Sequence, residues 1–218
     1  MKEWLSQYGY LVIVFFVVLA VFIVVLNFAA KAYSKHMKSF KAEEAELKRL
    51  TALKEKYKDF SEDAIKSAPD EEVLEGVALI YQLSLQKKDN IEEEFLKLKS
   101  EIQSVYVLDV FVADGGMKAF FSANTDILRS RIVPALQLIG LHDDAKLVAE
   151  IYRMYDDNDV EASFSEKKIE ETDKILQESD FLSRIKLNGA EYIRDNLDLL
   201  KLHYILQYLL CKVFLDQC

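Results

Sequence analysis

The stretch VADGGMKAFFSANTD, from Val112 to Asp126, places two adjacent glycines ahead of a Phe-Phe pair and an asparagine. The chain has only six glycines and two prolines among 218 residues, so consecutive glycines mark a specific turn. Glycine adopts the left-handed conformation that often ends a helix. The stretch therefore predicts a corner between two helices, with Gly115 or Gly116 as the C-terminal cap of the first.

The remaining residues of this corner have predicted structural roles. Phe120 and Phe121 are expected to hold the turn in the core, and Asn124 to cap the next helix through its side-chain oxygen. Adjacent glycines before a helix can also bind phosphate. However, no strand precedes them, and neither a G-x-G-x-x-G spacing nor a Lys-Ser/Thr pair is present. The corner of Gly115, Gly116, Phe120, Phe121 and Asn124 is thus predicted to specify the fold.

Capping residues and apolar spacing predict the helices around the corner. Asn90 is expected to cap one continuous helix that ends at the glycines. Its buried face is predicted to carry Ile91, Phe95, Leu98, Ile102, Val105 and Leu108. After the corner, Pro134 predicts a kink or a late start in a helix that Gly140 closes. Asp143 is the expected cap of the helix that follows.

Together these segments predict an all-α domain spanning residues 67–218, with about seven helices. The Val-rich stretch VYVLDVFV, residues 105–112, has strand propensity, but it continues the helical period that precedes it. The last segment, residues 197–215, is apolar but interrupted by charged residues. It is therefore expected to pack on the domain or lie on a surface rather than to form a second membrane span.

Residues 10–30, YLVIVFFVVLAVFIVVLNFAA, contain a single polar residue, Asn27. A helix of this length spans about 30 Å, which matches the core of a bilayer. A cleaved signal peptide is the alternative, but the apolar run exceeds the usual length for one. Four lysines follow within residues 31–41 and only Lys2 precedes. The positive-inside rule then predicts a short external N-terminus, residues 1–9, and a cytoplasmic domain at the inner face of the cell membrane.

Residues 31–66 are predicted to form a basic, amphipathic juxtamembrane helix and a linker. Residues 31–60 carry nine basic and five acidic side chains, a net charge of +4. Apolar residues recur at helical spacing: Phe40, Leu47, Leu50, Leu53, Tyr57 and Phe60. This stripe either packs on its own domain or, as an alternative, pairs with a second copy of the helix 37–60 to make a homo-oligomer.

The rest of the chain is acidic and offers few groups for catalysis. Residues 61–218 carry 18 basic and 31 acidic side chains, a net charge of −13, which disfavours direct binding to nucleic acid. Cys211 and Cys218 are expected to be free thiols, because no Cys or His cluster accompanies them. The three histidines are far apart in sequence and no metal-binding motif occurs. A protein without catalytic activity, metal or cofactor is predicted, with a hydrolase as a remote alternative.

Three segments resemble the helical domain of DNA-mimic-protein-19-like proteins: DGGMKAFFSAN (114–124), ALQLIGLHDDAKLVAEIY (135–152) and AEYIRDN (190–196). The resemblance covers residues 73–196. Asp114 stands where that family often has asparagine, and Met117 where it has phenylalanine. The resemblance implies a compact, non-enzymatic domain that binds proteins through surface carboxylates imitating DNA phosphates.

Candidate carboxylates for such a surface lie between residues 156 and 173. They are Asp156, Asp157, Asp159, Glu161, Glu166, Glu170, Glu171 and Asp173. A solvated acidic segment without a partner is the alternative for the same residues. The sequence thus predicts a membrane-anchored module for protein–protein interaction, with a basic partner that the sequence does not name.

Overall fold

The structure is a computed structural model that describes residues 37, 40–156, 162–202 and 204. The chain divides into two compact units, Met1–Ala52 and Leu53–Cys218. Every regular element among the described residues is helical, which confirms the predicted all-α class.

Residues 40–52, the main described part of the first unit, form a helix. The predicted membrane segment 10–30 and the predicted external residues 1–9 lie outside the described residues. Within the described ranges, no helix combines the length and apolar character needed to cross a bilayer.

The apolar stripe predicted for the juxtamembrane helix divides between the two units. In the first unit, Phe40 is 55% exposed and Leu47 is 66% exposed. In the second unit the stripe is buried, at Leu53, Tyr57 and Phe60. The stripe therefore packs on its own domain from residue 53 onward, as one of the two alternatives expects. Pairing of the helix with a second copy stays a prediction.

The second unit begins with helical residues 53–57, here α1, and ends its described part with helical residues 197–202, here α11. Nine further helices lie between them among the described residues. They are α2 (Glu62–Ser67), α3 (Asp70–Leu85), α4 (Ile91–Lys97), α5 (Ser100–Asp114), α6 (Met117–Ala123), α7 (Asp126–Leu138), α8 (His142–Asp156), α9 (Ala162–Glu178) and α10 (Phe181–Asp195).

The core forms around α3 and α5, which pack on each other. Helix α10 packs along α3, and α7 packs along α5. Helix α8 lies against α7, and α9 contacts both α8 and α6. Residues far apart in sequence meet here: the buried Tyr81 hydroxyl on α3 donates a hydrogen bond to the Leu200 carbonyl of α11 at 2.9 Å. Closing this core therefore needs nearly the whole second unit.

Tyr57 of α1 packs directly on α3. Its ring is buried, and a Cβ added to Gly76 would lie 2.5 Å from two of the ring carbons. The Tyr57 hydroxyl donates to Glu72 Oε1 at 3.1 Å. Burial, together with the adjacent Glu72 carboxylate, raises the pKa of Tyr57 well above its usual range. The absence of a side chain at Gly76 is thus what lets α1 approach α3.

The continuous helix predicted from Asn90 to the glycine corner is wrong. Asn90 does cap α4, where its side chain accepts a hydrogen bond from Glu93 N–H, but the backbone turns extended at Leu98. The buried Gln103 side chain donates to the carbonyls of Phe95, Leu96 and Leu98, which end α4. This side-chain contact satisfies carbonyls that a continuing helix would have bonded. The break also leaves Ile91 at 45% exposure, although it was expected on the buried face.

Two smaller expectations on the helix ends are also wrong: the late start that was one alternative for Pro134, and the cap role of Asp143. The other alternative, a kink at Pro134, stays a prediction. Helix α7 begins at Asp126 and contains Pro134, so the proline does not delay the start. Asp143 lies within α8, whose first residue is His142, and binds Lys146 at 2.8 Å instead of capping the helix. Gly140 follows α7 with φ +80, as expected for a left-handed residue after a helix.

Two arginines of α10 tie it to distant helices. Arg194 donates to the carbonyls of Ile65 and Ala68 at the end of α2, and pairs with Asp70 at the start of α3. Arg184 forms two parallel hydrogen bonds, each 2.8 Å, with the buried Asp144 of α8. Bidentate guanidinium–carboxylate pairs fix orientation as well as distance. Helix α10 is therefore held in register at both of its ends.

Candidate partner-binding surface

The glycine corner joins α5 to α6. Gly115 caps α5 in the left-handed conformation, with φ +79, and its N–H donates to the Val112 carbonyl. Gly116 has φ +148 and ψ 179, a conformation that is essentially restricted to glycine. The predicted helix–helix corner is confirmed, and each glycine has its own backbone requirement.

Phe120 and Phe121 are fully buried, as expected. The Phe120 ring lies 5.1 Å from Phe111 of α5 and 5.6 Å from Phe121. Phe121 in turn reaches Tyr152 of α8 at 6.2 Å. Aromatic pairs at these separations add stability beyond the area they bury. The Phe-Phe pair therefore connects the corner to helices before and after it.

The role expected for Asn124 is wrong. Asn124 is the C-terminal cap of α6, and α7 begins after Thr125. Its side-chain nitrogen donates to Asp114 Oδ2 at 2.7 Å and to the Phe120 carbonyl at 2.8 Å. Asn124 thus closes α6 onto the end of α5 instead of capping the start of α7.

The start of α6 is capped from another helix. Asp173 of α9 accepts hydrogen bonds from Met117 N–H at 2.6 Å and from Lys118 N–H at 2.9 Å. The first N–H groups of a helix have no partner within it, and a carboxylate there also meets the positive end of the helix dipole. Asp173, a residue of the predicted acidic surface, therefore stabilises the helix that follows the two corner glycines.

Two other carboxylates of the predicted surface have basic neighbours. Glu170 pairs with Lys118 of α6. Glu171 lies 3.9 Å from Lys167 within α9, with both side chains largely exposed. Exposed pairs of this kind contribute little to stability. However, they reduce the local negative charge of this part of α9.

The remaining five predicted carboxylates flank or occupy the connection between α8 and α9. Asp157, Asp159 and Glu161 lie outside the described residues, while Asp156 ends α8 and Glu166 lies within α9. Residues 154–166 contain these five acidic side chains and no lysine or arginine. Helices α8 and α9 pack on each other, and Lys168 of α9 lies 3.9 Å from Glu150 of α8. These five carboxylates therefore lie near the facing ends of two packed helices or in the connection between them.

Reasoning from sequence missed the two arginines of α10 and the capping role of Asp173. Arg194 falls within the AEYIRDN segment, but its partners are more than 120 residues away. His36 and His203 lie outside the described residues, and His142 is exposed at the start of α8. No group of three or more metal-ligating side chains occurs in the part of the chain that the structure describes.

Comparison with known proteins gives no relative for this chain: no family model, curated protein or solved structure matches it.

Proposed function

We propose that this chain is a non-enzymatic protein-interaction module, anchored to the membrane by residues 10–30, that binds a basic partner through residues 156–161. The observation that supports this best is the distribution of charge around α9. Asp173 and Glu170 are engaged with α6, whereas residues 154–166 have five carboxylates without a basic residue among them.

The segment 156–161 connects α8 to α9, and these two helices pack against each other. A connection between two packed helices has its two ends held in a fixed relation, and preorganisation of this kind lowers the entropy lost on binding a partner. Clustered charges of one sign attract a partner of opposite sign and increase its association rate. The resemblance to DNA-mimic-protein-19-like proteins supports the same kind of partner, since a basic surface that receives DNA also receives such carboxylates.

The test is a comparison of two charge-matched variants. One replaces Asp156, Asp157, Asp159 and Glu161 with their amides. The control replaces four exposed carboxylates on other helices with theirs: Glu71, Glu92, Glu191 and Asp195. Proteins that co-purify with each full-length form from membranes are compared at low and high salt.

A basic partner that is lost at high salt and lost with the first variant, but kept with the control, supports the proposal. Equal loss with both variants indicates a response to net charge alone and contradicts a specific site. Recovery of no salt-sensitive partner with the wild-type chain contradicts it as well.

A further inference from the structure

We draw no further inference here: the strongest candidate, the exposed apolar face that Phe40 and Leu47 form on the helix 40–52, has the charged Glu43 between them, and nothing in the structure shows what covers it.

Discussion

The Asp173 carboxylate lies 2.6 Å from the backbone nitrogen of Met117, and this hydrogen bond joins α9 to the first turn of α6. Lys118 N–H donates to the other carboxylate oxygen at 2.9 Å. Gly116 leaves room where the carboxylate approaches, because an added Cβ would lie 3.2 Å from Asp173 Oδ1. Asp173 and Gly116 therefore help to define the contact between α6 and α9, through a hydrogen bond that joins residues 56 positions apart in sequence.

Replacing Asp173 with alanine is expected to destabilise the domain by about 1–2 kcal/mol, because two helix N–H groups lose a charged acceptor. Asp173→Asn is expected to lose less, since the amide oxygen keeps one of the two hydrogen bonds. Urea unfolding followed by circular dichroism measures the change. Glu171→Gln is the matched control on the same helix, and a loss as large as that of Asp173→Ala would contradict the capping role.

Alanine at the two corner glycines is expected to have unequal effects. Gly115→Ala keeps open space around its Cβ and meets only the left-handed backbone, which costs roughly 1 kcal/mol. Gly116→Ala adds a contact with Asp173 to a conformation essentially restricted to glycine, at up to about 3 kcal/mol. Thermal unfolding of both variants compares them, and a more stable Gly116→Ala would show that the corner adopts another conformation.

Gly76→Ala is expected to destabilise the domain although alanine favours helices. The gain in helix propensity is about 1 kcal/mol, but the new methyl group overlaps the buried Tyr57 ring. Overpacking of this kind costs roughly 1–3 kcal/mol. Gly189→Ala is the control, since its Cβ meets only the end of the Leu74 side chain, at 3.3 Å. If both variants unfold at the same denaturant concentration, α1 does not pack on α3 through Tyr57.

The free energy of unfolding is expected to fall above about pH 10, the ordinary pKa of tyrosine. Burial raises the pKa of Tyr81 above that value in the folded state. Below pH 10 the residue is neutral in both states and its contribution is complete. At higher pH the unfolded state loses the proton first, so stability declines by up to about 1.4 kcal/mol per pH unit for each such tyrosine.

Tyr81→Phe is expected to lower stability at pH 8, because the hydrogen bond to Leu200 is lost, but to make the decline above pH 10 shallower. Urea unfolding midpoints measured from pH 8 to pH 11 give both quantities. If the decline of stability with pH has the same slope in the variant, the pKa of Tyr81 is the same in the folded and the unfolded state.

Features fixed by local chemistry could be predicted from the sequence. The left-handed Gly115 and the Asn90 cap each depend on residues within one turn, and the burial of Phe120 follows from its large apolar ring. The break between α4 and α5 could not be predicted in this way. Leu98 remains 5% exposed although the backbone turns there, so the apolar period continues across the break. Periodicity reports which side chains are buried, and it does not report whether the backbone between them is continuous.

The candidate surface shows the same limit at longer range. The run of carboxylates predicts one acidic surface, yet Asp173 accepts hydrogen bonds from the first turn of α6 and Glu170 pairs with Lys118. Both contacts cross more than fifty residues of sequence, and only the packing of α9 on α6 brings the groups together. Sequence spacing identifies the carboxylates but does not show which of them are bonded to other helices of the fold.

The pairing of α3 with α10 has a consequence for the order of events during synthesis. The ribosome makes α3 early, while the helix that covers it, and the Leu200 carbonyl that accepts from Tyr81, come about a hundred residues or more later. Translation proceeds at about 5–20 residues per second, so several seconds pass between the synthesis of α3 and that of α10, which covers its apolar side. During that interval the exposed apolar side of α3 is open to aggregation unless a chaperone or a transient contact with α5 covers it.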